Sequence, residues 1–257
     1  SKWKELVDDV PKWARTTPEI QRAMRAQDIS ESVNSPEFKK WFGKSKVVDK
    51  KGKPLKMYHG TPQGGFSSFE AWGRHGLFGT GSYFTDSPRT ASGYTQDRRL
   101  SSPRYGKQVG TVYPTYLSIK NPIDMEAIAD PNKWKKFEKS FASNDKGITT
   151  DPDFSIWAKS RKNKEVYKYV EDMVRIIVED LGGSMTELAD MMRYGIEDMG
   201  YDGITHIGGG IANKNSAFRH KVYIAFEPTQ VKSVFNRGTW DPTVGDISES
   251  QSAVYNK

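Results

Sequence analysis

Cysteine is absent from this 257-residue chain, which excludes disulfides and thiolate metal sites and leaves the redox compartment open. No run approaches the ~18 consecutive apolar residues of a membrane span, so no membrane partner is expected. Histidine is scarce. His75, His206 and His220 show no metal-ligand spacing, and no metal is expected. No internal repeat is visible, and low complexity is confined to the polar tail after Asp246. Secretory-signal patterning is also missing, and a chain opening on Ser1 is expected to belong to a longer polypeptide. What is present is enough apolar material for a real core: 35% hydrophobic residues and seven Trp. The net charge of +7 suits a nucleic-acid partner, a pyrophosphate, or solubility alone.

Periodicity divides the chain. Residues 3–14 and 17–27 read as short amphipathic helices, and 35–42 as a third, with Pro36 in its first turn and Gly43 at its end. From Lys46 the period shortens. Val47-Val48, a turn over 49–52, and Leu55 to His59 read as a hairpin whose second strand delivers His59. Residues 62–80, rich in glycine and aromatics, read as a loop. Residues 81–85 read as a strand, and 88–95 as a short helix carrying Tyr94 on its inner face. Residues 109–119 alternate like a strand stopped by Asn121-Pro122.

Helical patterns follow over 133–143, 164–181 and 185–199. Met173, Ile176, Ile177 and Leu181 give the middle one an apolar stripe that reads as core. Residues 201–206 enter a strand, Gly208-Gly209-Gly210 reads as a connector, and 222–226 with 230–234 read as a closing pair of strands around Glu227-Pro228. The expected domains are a helical extension over 1–45, a catalytic domain over 46–248 with a helical insertion at about 123–200, and a polar tail over 249–257.

The chemistry concentrates in two segments. Met57-Tyr58-His59-Gly60-Thr61 is a strand ending in His-Gly-Thr. Gly79-Thr80-Gly81-Ser82-Tyr83-Phe84-Thr85-Asp86 is a glycine-rich turn into Tyr-Phe, with Tyr94 eleven positions beyond Tyr83. Two tyrosines can hold a flat cationic nicotinamide ring between their faces by stacking and cation–π attraction. A strand-end His can bond a ribose hydroxyl, and a neighbouring Gly lets main-chain groups approach a carboxamide. The Gly-x-Gly precedes a strand rather than a helix, so it is no dinucleotide fingerprint. Arg74, Arg98 and Arg99 are candidates for a pyrophosphate.

These motifs resemble the diphtheria-toxin and poly(ADP-ribose) polymerase branch of the ADP-ribosyltransferases, which carry a His-Tyr-Glu triad. The wider text, from Phe38 through Trp41-Phe42-Gly43 and Glu227-Pro228-Thr229-Gln230 to Asn236-Arg237-Gly238-Thr239, is similar to transferase domains of phage and bacterial polyvalent proteins. The resemblance covers roughly residues 35–248. It implies an α+β fold of two small, mostly antiparallel sheets around a split NAD cleft, with NAD as substrate and no metal.

It also implies mono-ADP-ribosyl transfer to a macromolecular acceptor, protein or nucleic acid. His59 would bind the ribose, Gly60 and Thr61 would line the carboxamide site, and Tyr83 and Tyr94 would flank the nicotinamide. The setting it implies is the cytoplasm of a bacterial cell, as a toxin or effector delivered by a phage or secretion system and acting as a monomer or part of a larger polypeptide.

The third triad position falls on Val222 when the motif is aligned on Tyr223-Ile224. A valine cannot stabilise the oxocarbenium-like charge that develops as nicotinamide leaves. Three readings remain open. Gln230, or Glu227, reaches the ribose as a catalytic group from the next turn; an acid comes from elsewhere, with Glu70 a candidate; or the domain binds NAD without turnover. With water as acceptor the activity would instead be that of an NAD glycohydrolase.

Overall fold

The computed structural model describes residues 33–70, 75–76, 78–96, 103, 105–106, 110–144, 165–174, 185–209, 219–236 and 240–248. The helices expected at 3–14 and 17–27, the part of the middle helix beyond residue 174, and the tail from 249 lie outside these residues.

The first helix, α1 (Pro36–Phe42), begins as its sequence requires: the Ser35 hydroxyl accepts the Phe38 N–H at 3.0 Å, and Pro36 occupies the first turn. It buries Phe38, Trp41 and Phe42 against Tyr116, Val234 and Trp240. The Trp41 indole N–H donates to the Thr229 carbonyl at 3.0 Å, and the Ser45 hydroxyl to Leu117 at 2.8 Å. One face of this segment therefore packs on the rest of the described domain.

A single sheet dominates, where two were expected. Strands β1 (Met57–Thr61), β4 (Ser82–Thr85), β5 (Thr111–Leu117), β6 (Pro122–Asp124), β7 (Gly203–Gly208), β8 (His220–Ala225) and β9 (Val231–Ser233) run in the order β6-β7-β8-β4-β1-β5-β9. All neighbours are antiparallel except β6 and β7. A two-stranded ribbon, β2 (His75–Gly76) with β3 (Gly79–Thr80), stands apart within what reads as loop.

The reason for one sheet is β4, which pairs with β8 on one side and β1 on the other. The two joints are unequal. Ser82 to Thr85 all pair with β8, whereas β4 meets β1 only at Tyr58↔Thr85. Past that pair the strands are no longer in register, and the sheet forks. The split survives as a fork in one sheet.

Another expectation is corrected. The strands on either side of Glu227-Pro228 do not pair with each other: β8 lies inside the sheet, while β9 joins β5 at the far edge. The short 3₁₀ turn Pro228–Gln230 redirects the chain between them. The strand read over 109–119 does stop before Asn121-Pro122, since β5 ends at Leu117, but Pro122 then opens a further strand, β6, at the sheet edge, where a missing N–H in the first position leaves no ladder bond unmade.

Helices α3 (Pro131–Asn144), α4 (Val166–Val174) and α5 (Met185–Asp198) cover one face. There Trp134, Phe137, Val170, Leu188, Met192 and Ile196 pack on Ile204, Val222 and Ile224. The opposite face carries Val47, Met57, Phe69, Phe84, Leu117 and Tyr223. The period-2 alternation of β8 accounts for this division, since Val222 and Ile224 go to one side and Tyr223 and Ala225 to the other. The short helix α2 (Pro88–Gly93), capped by Ser87 accepting from Thr90 N–H at 3.1 Å, lies on β1. Ala91 packs there on Tyr58 and Val112.

Candidate functional site

The fork between β1 and β4 forms the site. Where the ladder stops, the main-chain carbonyl of Tyr83 accepts from a side chain: His59 Nδ1 lies 2.8 Å from it. A carbonyl can only accept, so Nδ1 carries the proton, and in the neutral ring Nε2 is the acceptor. The imidazole is also held by rings. Phe69 meets it edge-on at 5.0 Å, and Phe84 lies tilted at 5.5 Å. A cavity of about 440 Å³ opens here, lined by His59, Tyr83, Gly81 and Ser82 on the strand side and by Gln63 to Phe66 and Ser68 to Glu70 on the loop side.

Tyr83 is fixed at both ends. Its hydroxyl donates to the Gly79 carbonyl at 3.0 Å and accepts the Phe78 N–H at 3.2 Å. Burial pushes the phenol well above its ordinary range, so it remains protonated. The ribbon that supplies these partners leaves no space. A Cβ on Gly76 would lie 2.2 Å from the Tyr83 ring, so only glycine permits this contact. The ribbon is tied in turn to α5, because the Thr80 hydroxyl donates to the Asp190 carboxylate. Asp86 completes the strand motif: its N–H donates to the Lys221 carbonyl at 3.0 Å, and its carboxylate accepts the Lys221 N–H at 2.9 Å, continuing the β4–β8 pairing.

The loop wall is built from aromatics. Phe66 stacks on Tyr113 at 4.6 Å, Phe69 meets Tyr113 edge-on at 5.7 Å, and the Tyr113 hydroxyl accepts from Gly65 N–H at 2.9 Å. The C-terminal segment braces it from outside, with Ile247 N–H donating to the Ser67 carbonyl at 2.8 Å and Ser68 bridging Asp246. Glu70 follows directly and reaches the same cavity as His59 and Tyr83.

A family model described as ADP-Ribosyltransferase in polyvalent proteins matches residues 49–240. The chain belongs to that family. Comparison with curated proteins and with solved structures returned no match.

Within this transferase-family domain, the expected residues divide into those the fold brings together and those it does not. His59 and Tyr83 share one cavity. Gly60 adjoins His59 on β1, but the space above its Cα belongs to α2: a Cβ there would lie 1.7 Å from the Ala91 carbonyl. The Thr61 hydroxyl accepts the Gln63 N–H at 3.2 Å and so turns the chain into the loop wall. Tyr94 is not on an inner face. It caps α2 at its C-terminus and is 59% exposed.

Val222 is buried in the helix-side cluster beside Phe78 and Ile224, and it does not line the cavity. Gln230 is corrected as well. Its Oε1 accepts from Phe226 and Glu227 N–H at 2.9 Å each, and its Nε2 donates to the Asp202 carbonyl at 2.7 Å. With both ends of the amide bonded to backbone, Gln230 locks the turn and holds no group toward the ribose. Glu227 accepts from the Arg193 guanidinium on α5.

Arg74, Arg98 and Arg99 lie outside the described residues. His206 is buried against Phe78 at 4.6 Å, with its Nδ1 unpartnered among the described residues. Burial first, and the nearby His220 charge to a lesser degree, lower its pKa to about 4.

Sequence reasoning missed Gly76, Thr80 and Asp190. Thr80 stood inside the quoted motif. Gly76 and Asp190 carried no local signal, because each acts on a partner distant in sequence or across the ribbon.

Proposed function

We propose that this domain transfers a single ADP-ribose from NAD to a macromolecular acceptor with release of nicotinamide. The observation that carries the reading is the hydrogen bond from His59 Nδ1 to the Tyr83 carbonyl, which holds imidazole and phenol on one cavity wall at the fork. In this reading His59 Nε2 accepts from a ribose hydroxyl, and the nicotinamide lies against Tyr83 with Tyr94 closing over it from the rim of α2. The carboxamide meets the main chain of β1 beside Gly60. Cleavage of the glycosidic bond is dissociative, and the acceptor attacks the opposite face. Single transfer is proposed because the triad position tied by resemblance to chain elongation is Val222, which is buried away from the cavity.

The test is incubation of the purified chain with NAD labelled in the adenylate, with and without bacterial lysate. Nicotinamide is assayed, and label is followed in protein and nucleic-acid fractions. Label in one fraction, lost in His59→Ala, is the expected outcome and names the acceptor class. Nicotinamide release in buffer alone, without labelled macromolecule, would replace the transferase by a glycohydrolase. NAD binding without release would make the domain a binding module.

A further inference from the structure

We infer that Glu70 is the carboxylate of this site, taking the electrostatic role that Val222 cannot take; the inference rests on the transferase reading above. Among the described residues lining the cavity with His59 and Tyr83, Glu70 is the one acid. It lies on the exposed loop side of that cavity, while His59 and Tyr83 lie on the strand side.

One oxygen is already oriented: the Ser68 hydroxyl donates to Glu70 Oε1 at 2.9 Å. The second oxygen has no protein partner among the described residues. The position is held from below. Phe69, the preceding residue, is 4% exposed and packs edge-on against the His59 ring, which ties the backbone next to Glu70 to the imidazole. The Ser67 carbonyl and Ser68 are tied to Ile247 and Asp246, which keeps the loop from swinging outward.

The acid and the amide of the 227–230 turn are engaged elsewhere. Gln230 is hydrogen-bonded at both ends of its amide, and Glu227 is paired with Arg193. A carboxylate at position 222 would enter the apolar cluster of Phe78, Ile224 and Phe226.

The step follows from this placement. The bond between the ribose C1′ and the nicotinamide nitrogen breaks, and its electron pair leaves with nicotinamide, which becomes neutral. Positive charge develops on the ribose, and the Glu70 carboxylate stabilises it across the cavity. The acceptor heteroatom then bonds C1′, and its proton passes to Glu70 and on to water. NAD⁺ and H–X become ADP-ribosyl-X, nicotinamide and H⁺. A loop-borne acid differs from a strand-borne one in a testable way: its alignment depends on Ser68, Phe69 and the C-terminal brace.

The experiment compares wild type, Glu70→Gln, Glu70→Asp, Ser68→Ala and His59→Ala for NAD affinity by calorimetry, nicotinamide release against pH, and melting temperature. Glu70→Gln should lower kcat by about a hundredfold, in the range found on removing one preorganised electrostatic partner. Its NAD affinity should change less than threefold and its melting temperature should stay at the wild-type value. Glu70→Asp and Ser68→Ala should fall between wild type and Glu70→Gln in kcat. Turnover near wild type in Glu70→Gln, with His59→Ala inactive, would overturn the assignment of Glu70 and leave the transferase reading standing. Wild-type protein that binds NAD without releasing nicotinamide would overturn both.

Discussion

Tyr83 and Tyr94 are the same residue type on the same proposed cleft, yet the fold treats them in opposite ways. Tyr83 lies in a strand, its hydroxyl is bonded on two sides, and its ring edge is pressed against Gly76. Tyr94 caps a six-residue helix and exposes 59% of its surface. The Tyr83 ring is preformed at the cost of tight steric constraints, while the Tyr94 ring is open to solvent. A ring held in place before binding loses little freedom when a ligand stacks on it, whereas a mobile one must be ordered at that moment. In the proposed reading, the difference gives orientation to Tyr83 and closure to Tyr94.

The strongest way to break the comparison is to displace the fixed wall without touching its tyrosine. Gly76→Ala puts a methyl group where the Tyr83 ring lies, so ring or ribbon must shift. A displacement of about 1 Å can cost roughly a hundredfold in rate, and nicotinamide release should fall by about that factor. The measurement is kcat/KM beside a thermal melt. Unchanged turnover would mean that the Tyr83 ring position is not critical.

Acid should weaken the same wall. His206 packs on Phe78, whose N–H holds the Tyr83 hydroxyl, and its pKa in the fold is about 4 against 6.5 for a free histidine. A base with a lowered folded pKa stabilises the fold fully above pH 6.5, and that contribution is lost as pH falls toward 4. Between pH 6.5 and pH 5 the loss from this residue should be about 2 kcal/mol. Urea unfolding of wild type and His206→Gln at both pH values isolates it from the carboxylates. Equal slopes in the two proteins would show that His206 does not titrate as a buried group.

A smaller effect should follow from cutting the tie between ribbon and helix. Thr80→Val keeps the shape and removes the hydroxyl that donates to Asp190. A hydrogen bond to a charged partner contributes about 1.5 kcal/mol or somewhat more. Denaturant midpoints should fall accordingly, with turnover reduced less than in Gly76→Ala.

How much of this could be read from residues alone follows from the range over which each feature is determined. Ser35-Pro36 with Gly43, and Ser87-Pro88, announce their helices because a cap and a first-turn proline act within four residues. The strand carrying His59 and the one carrying Tyr83 were legible from the two motifs, and these two residues share a cavity in the fold.

The ribbon at 75–80 was not legible, since two-residue strands rich in glycine have no period to detect. Nor was the path of β9, because its neighbour β5 lies more than a hundred residues earlier and nothing local says which edge is open. Gln230 looked available to a ligand because a lone amide in a turn gives no sign of its three backbone partners. Glu70 was obscured for the converse reason: the contacts that aim its loop come from Tyr113 and the segment around Ile247.

Tyr94 gives the mildest and sharpest test of the comparison. It is exposed, so Tyr94→Ala should leave the melting temperature within error of wild type. If the ring closes over bound nicotinamide, its loss removes one aromatic contact of about 1 kcal/mol, a five- to tenfold rise in KM for NAD. Tyr94→Phe should be silent, because closure uses the ring face and not the hydroxyl. Pairing an exposed ring with a fixed one also predicts where the change appears. A wall that only orders on binding should affect KM with kcat nearly intact, whereas loss of the fixed wall should lower kcat itself. Finding the reverse in Tyr94→Ala would assign the orienting role to the exposed tyrosine and remove the distinction between the two walls.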